Sequence, residues 1–352
     1  MRIFDTLLTQ LFIAPETTGF YVRNCPPVPT VSSGGANVRM YFCTDIHGSE
    51  RCWKKFLATP KHYECDTIVI GGDITGKFIV PVIETKPGKY KARFAGIERK
   101  VSKGPQLDNL LAMIADAGEY AFMTTPDEYE TYAGDQDKTD DLFHTLILKR
   151  VERWIDMAED RLAGTGVRIL ISGANDDYFE VDEMLSRSSL IEDPNGTVVD
   201  LDGGFQIMGM GYGNITPWAC PRDVSEEDLG RRIDEVMAKV ADPGKTIMSL
   251  HVPPYASGLD YAPELDEDLR AVVTSGGPHM IPVGSTATRD AIAKYTPMLG
   301  VHGHIHESRG VRDLDGVPIG NPGSEYSEGV LGGLLIDFDE RHGLVNTSLV
   351  RG

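Results

Sequence analysis

Short blocks of aliphatic residues recur along the chain, and each runs into a polar loop. Val38 to Phe42, Thr67 to Ile70, Arg168 to Ser172, Phe205 to Gly211, Thr246 to Leu250 and Met298 to His302 have the length and β-branched content of buried strands. Between them the apolar period lengthens to that of a helix. Ser49 caps a helix with Trp53, Phe56 and Leu57 on one side. Leu107 to Ala117, Glu180 to Arg187 and Thr286 to Tyr295 read as further helices, and Asp140 to Leu162 as a long amphipathic one. Ser225 opens a helix to Val240, with Asp228 completing the capping box. Val317 to Gly320 leads into Asn321-Pro322-Gly323-Ser324, and the β-segments Leu331 to Phe338 and Leu344 to Val350 follow. Strands alternating with helices predict an α/β fold.

Two stretches depart from this rhythm. Residues 1–37 read as an N-terminal appendage, a short helix around Leu7, Leu8, Leu11 and Phe12 followed by a Pro/Ser/Gly linker, with the main domain spanning 38–352. Residues 77–167 separate two strands that should be neighbours. They hold a hairpin around Pro87-Gly88, two helices and an acidic stretch from Thr124 to Asp140. This insertion reads equally as a cap over a site, a solvated decoration or a contact between copies of the chain.

Composition narrows the function classes. With 34 basic and 53 acidic residues in 352, the net charge is −19, the wrong sign for a general nucleic-acid or anionic-membrane binder. It permits a small phosphorylated substrate, because metal ions supply positive charge. The five cysteines lack a Cys-x-x-Cys spacing and the N-terminus lacks a signal-peptide pattern. Together these read as reduced thiols in a cytoplasmic protein. The apolar run from Thr6 to Ala14 is too short to span a membrane.

The candidate chemistry lies where the strands end. Asp45 and His47 follow the first strand, Asp73 the second within Gly-Gly-Asp, and Asn175 the third. His251 follows the fifth, and His304 and His306 the sixth. In open α/β sheets such loops converge on one crevice. Two Asp, one Asn and four His are too many for one tetrahedral site. They suit two adjacent divalent ions sharing a bridging carboxylate, and mixed oxygen and imidazole donors favour Mn, Fe, Zn or Ni over Ca or Mg, with Mn the first expectation.

Asp-x-His, Gly-Gly-Asp-x-x-Gly, Gly-x-Asn-Asp, His-x-Pro-Pro and Gly-His-x-His occur in that order between roughly residues 38 and 340. The order resembles the calcineurin-like metallophosphoesterase superfamily. Gly211 to Pro217, Val283-Gly284-Ser285 with Arg289, Val301 to Ser308, and Asn321-Pro322-Gly323 through Gly329 resemble a prokaryotic branch of uncharacterised members. The resemblance implies a four-layer αββα sandwich of two mixed β-sheets. It implies that Asp45, His47 and His306 hold a first metal, Asn175, His251 and His304 a second, and that Asp73 bridges them.

One position departs from the pattern. Many members carry His after the Asn, where this chain has Asp176, followed by Asp177. Asp176 reads as a general acid of raised pKa, as a carboxylate steadying a neighbour such as His47, or as an acid ahead of the helix at 180–187. With the ligands Asn175 and His251 it forms the expected catalytic set. Asn214, Thr216 and Arg289 are candidate substrate contacts, against plain loop and ion-pair roles. Tyr212 and Trp218 fit either a core or a stacking surface, and His302 a packed histidine.

The expected function is hydrolysis of a small phosphorylated molecule by metal-activated hydroxide. A phosphodiester or nucleotide derivative is favoured, because an unpaired Asp176 repels a dianionic monoester more. The rivals are a phosphomonoesterase, a protein phosphatase and a non-catalytic scaffold of the same fold. A scaffold has no need of seven ligands.

Overall fold

The computed structural model describes residues 37–352; the appendage and Cys25 lie outside them. The strand blocks pair into two six-stranded mixed sheets. In the first, the order is Gly343–Arg351, Gly332–Asp339, Asn37–Cys43, Thr67–Ile70, Arg168–Ile171 and Ile191–Glu192. In the second it is Gly310–Leu314, Val317–Asn321, Leu299–Val301, Thr246–Leu250, Gln206–Met210 and Val198–Asp200. The inner strands of each sheet are parallel and the outermost pairs include antiparallel ones.

Side-chain alternation explains the layers. Met40, Phe42, Val69, Leu170, Ile207, Ile247, Val301, Leu334 and Ile336 point between the sheets and form one core. Their neighbours Tyr41, Cys43, Ile68, Ile70, Ile169 and Ile171 face outward onto Glu50–Phe56, Gln136–Leu162 and Phe179–Leu185. On the far side Met208, Met210, Met248 and Leu250 meet Glu226–Met237 and Thr286–Tyr295. The result is the expected αββα sandwich.

The insertion carries a sheet of its own. Ile79–Lys86, Lys89–Phe94, Ile97–Ser102 and Tyr120–Thr124 form a four-stranded sheet with Pro105–Asp116 on one face, around Val80, Val82, Phe94, Leu110 and Ile114. Gln136–Leu162 is not part of it. That helix presents Ile147, Val151, Trp154 and Ile155 to the first sheet's helical layer, while the small sheet ends at Thr124. Periodicity shows that a helix is amphipathic but not which surface it covers. The strands Ile97–Ser102 and Tyr120–Thr124 and the small ribbons between residues 261 and 282 went unread, being short.

The long helix is fixed by one contact above all. The indoles of Trp53 and Trp154 stack 4.7 Å apart at 4°, and Trp154 Nε1 donates to Glu50 Oε2 at 2.9 Å. Trp154→Ala opens a cavity and leaves that buried carboxylate short of a donor, so a loss of about 3–5 kcal/mol is expected. Urea unfolding measures it, and a loss below about 1 kcal/mol would show that the helix is not part of the main core.

Candidate metal centre

Parallel pairing carries on past the strand ends and places the ligands. Asp45 N donates to Gly72 O, His47 N to Asp73 O and Gly48 N to Ile74 O, at 2.8–3.0 Å. Across the sandwich His251 N donates to Met210 O, and Gly303 N to His251 O. The Asp-x-His and Gly-Gly-Asp loops thus run side by side, as do the His251 and Gly-His-x-His loops.

The side chains meet in two groups. In the first, His306 Nε2 lies 3.2 Å from Asp45 Oδ1 and 3.1 Å from His47 Nε2. In the second, His304 Nδ1 lies 3.1 Å from Asn175 Oδ1, and His251 Nε2 lies 3.3 Å from Asp73 Oδ2. Asp73 Oδ2 is also 3.8 Å from His47 Nε2, so this one carboxylate stands between the groups. Asp45, His47, Asp73, Asn175 and His251 are each at most 2% exposed.

The proton positions suit a cation. His47 Nδ1 faces Thr75 O at 3.3 Å and His251 Nδ1 faces Gly71 O at 3.2 Å. A carbonyl accepts, so each Nδ1 carries a proton and each Nε2 is turned toward the other ring's side of the cluster. His251 Nε2 is buried and makes no hydrogen bond. Burial holds His47 below its ordinary pKa and takes His304 down to about 4, keeping both neutral and able to donate. For His251 burial acts the same way, but Asp73 and Asp45 outweigh it and raise the group to about 9. The pocket draws positive charge, and these donors fit two divalent ions.

The backbone is bent to hold this arrangement. Asp45, His47, Asp73 and His304 all have positive φ, between 37° and 63°, a region non-glycine residues rarely enter. Several contacts fix them. Thr44 Oγ1 and the His304 backbone N–H donate to the Asp45 carboxylate. Ser324 Oγ donates to Asp45 O, and Asn321 Nδ2 donates to the carbonyls of Gly303 and Ile305. Gly72 sits at φ +128°, where a Cβ would lie 2.2 Å from Ala174 Cβ and 2.8 Å from His251 Nδ1.

Asp176 and Asp177 do different work. Asp177 is fully buried and accepts from the backbone N–H groups of Ile74, Thr75 and Ala174 and from Thr75 Oγ1, tying the Asp73 loop to the Asn175 loop. Asp176 pairs with Lys77, whose Nζ is 2.5 Å from Oδ2, and accepts from Cys220 Sγ at Oδ1. Burial works to raise the Asp176 pKa, but Lys77 and His47 hold it well below the usual carboxylate range. That direction is opposite to the one a general acid of raised pKa needs. Oδ2 stands 4.0 Å from His47 Nδ1, in keeping with a steadying role. Lys77 went unremarked because it read as the first residue of an insertion. The available signal was a lysine directly after the Gly-Gly-Asp-x-x-Gly loop of an acidic chain.

The other candidates have partners outside the cluster. Thr216 Oγ1 donates to Asp223 Oδ2 at 2.6 Å, within a loop that Asp223 organises. Arg289 binds the carbonyls of Tyr255 and Ala256 and faces Asp315, so none of its contacts is a ligand residue. Asn214 is half-buried in a two-residue ribbon with Val224. His302 is buried with Nδ1 on Leu250 O, as a packed histidine should be. Tyr212 packs partly into the second helical layer under Arg232, while Trp218 is about half exposed.

Comparison with protein families and with curated proteins finds no match. Among solved structures, TT1561 of Thermus thermophilus is similar at 12% identity and TM-score 0.47, over 90% of this chain and 99% of that one. A 5'-nucleotidase precursor from the same organism gives 12% and 0.34, over 90% and 54%. An archaeal phosphodiesterase gives 10% and 0.32, over 90% and 100%.

Gly72→Ala pushes a methyl group into His251 and Ala174, so the second group of ligands should lose its ion first. Wild type is expected to retain two divalent ions per chain after desalting, and Gly72→Ala at most one, by elemental analysis. A single ion in wild type, or a full complement in the variant, would contradict the two-group reading.

Proposed function

We propose that the chain is a dinuclear metal-dependent phosphoesterase acting on small phosphorylated molecules, nucleotide derivatives among them. Asp45, His47 and His306 hold one ion, Asn175, His251 and His304 the other, and Asp73 serves both. The observation that carries this reading is the Asp73 carboxylate standing 3.8 Å from one imidazole and 3.3 Å from the other. When bound, two divalent ions neutralise a phosphoryl group and lower the pKa of water enough to make a nucleophile at neutral pH.

The protein's own residues supply position and charge. Asp45 and Asp73 offset part of the ionic charge, and Asn175 adds an oxygen donor without adding charge. The hydrogen bonds from Nδ1 of His47 and His251 to backbone carbonyls fix both rings, so each Nε2 is oriented before any ion arrives. Bent loops held by Asp177, Asn321 and Ser324 keep the donors in place.

The lean toward diesters rested on the missing His after Asn175 and on repulsion from an ionised Asp176. Its charge is matched by Lys77, so it has no reason to reject a dianion. The Mn-loaded protein is therefore expected to hydrolyse both p-nitrophenyl phosphate and bis-p-nitrophenyl phosphate. Asp73→Asn should lower both rates by roughly a hundredfold or more, by analogy with other losses of an electrostatic group. Failure of the loaded protein on both esters and on a nucleotide panel would overturn the proposal in favour of a scaffold. Undiminished rates in Asp73→Asn would remove the shared carboxylate from it.

A further inference from the structure

We propose that Lys77 is a substrate-binding residue that engages the phosphoryl oxygens directed away from the metal ligands, with Asp176 as its tether. The inference rests on the phosphoesterase reading and goes beyond it, since no ligand of the cluster has this role.

Three observations carry it. First, Lys77 follows the Asp73 loop directly, and its ammonium is 2.5 Å from Asp176 Oδ2. That carboxylate lies beside the ligands: donor atoms of His47, Asp73 and Asp176 all fall within 4.8 Å of one another. Second, the side chain is 35% exposed, whereas the Asp176 carboxylate is 19% exposed and His47 is fully buried. Of the three side chains, Lys77 is the one most open to solvent. Third, Asp176 is the only partner seen for this ammonium among the described residues. An ammonium has three donors, so two are left to bind oxygen from outside.

The surroundings suit the role. Asp176 is held by Cys220 Sγ at one oxygen, and its backbone N–H donates to Asp73 Oδ1, so the tether is part of the metal cluster's own framework. Tyr326 closes the same side, its ring 4.7 Å from His47 and 5.9 Å from His306. A lysine is long and flexible, and holding it against a fixed carboxylate reduces the ordering cost when an anion arrives. Phosphate accepts charge-assisted hydrogen bonds from ammonium, and lysine serves as a point-charge phosphate binder elsewhere.

The experiment measures inorganic phosphate binding to the Mn-loaded full chain by calorimetry, with ion content and melting temperature recorded for every variant. Lys77→Met is expected to weaken phosphate binding roughly tenfold or more, to keep both ions and to melt close to wild type, whereas Lys77→Arg should restore most of the affinity. With ester substrates Lys77→Met should raise KM more than it lowers kcat. Wild-type phosphate affinity in Lys77→Met overturns the proposal, leaving the phosphoesterase reading intact. Loss of ions or of stability in that variant also overturns it, because the pair would then be structural. A wild type that holds two ions but neither binds phosphate nor hydrolyses any ester overturns both readings.

Discussion

Asp73 is 2% exposed and lies among imidazoles contributed by both sheets. A carboxylate removed from water this completely needs positive charge, and its near neighbour Asp45 doubles the need. Without ions, part of that need falls on His251, which the two carboxylates raise to about 9 while burial keeps His304 near 4. Divalent ions meet the same need without asking a ligand to carry a proton. The loops of both sheets are built around that requirement. The parallel strands end level with each other so that the polar side chains converge, and Asp45, His47, Asp73 and His304 accept positive φ in these loops.

Such strain persists only where the surroundings over-determine it. Asp177 supplies much of that, since four donors from two different loops end on its carboxylate. Its pKa is nevertheless pushed up to about 6, by burial first and by the nearby Asp73 second. Hydrogen bonds to the charged form oppose that rise without cancelling it. Asn321 and Ser324 do the same work for the His304 and Asp45 loops through neutral hydrogen bonds.

The sandwich was legible because a buried strand announces itself locally. Thr67 to Ile70 is apolar on both faces, and so is Thr246 to Leu250, apart from Ser249. The His and Asp cluster was legible because each of its side chains stands just past such a block. What stayed hidden depends on contacts between residues far apart in sequence. Nothing near Asp176 indicates that Lys77 meets it, because the pair is joined only through two neighbouring loops. Likewise nothing in Gln136–Leu162 shows that it stacks Trp154 on Trp53, so the helix was assigned to the insertion that precedes it. Thr216 was a candidate through its Gly-rich loop and Arg289 through its charge, and each has hydrogen-bond partners in the chain's own framework.

The insertion takes its place from the same loops. Gly118 O lies so close to Gly48 and Gly76 that a Cβ on either would clash, and Gly76 N donates to Tyr120 Oη. Arg150, nearly buried, reaches from the long helix to the carbonyls of Gly48 and Glu119, joining the core layer to the insertion at that point. The small sheet is therefore anchored directly behind His47 and Asp73, and Lys77 occupies the step between anchor and sheet. A displacement of the insertion would be transmitted to Lys77 within two residues, whereas Asp73 is separated from it by the bonds to Asp177. The chain thus places its rigid contacts behind the candidate ligands and leaves the Lys77 ammonium on the segment that joins them to the insertion.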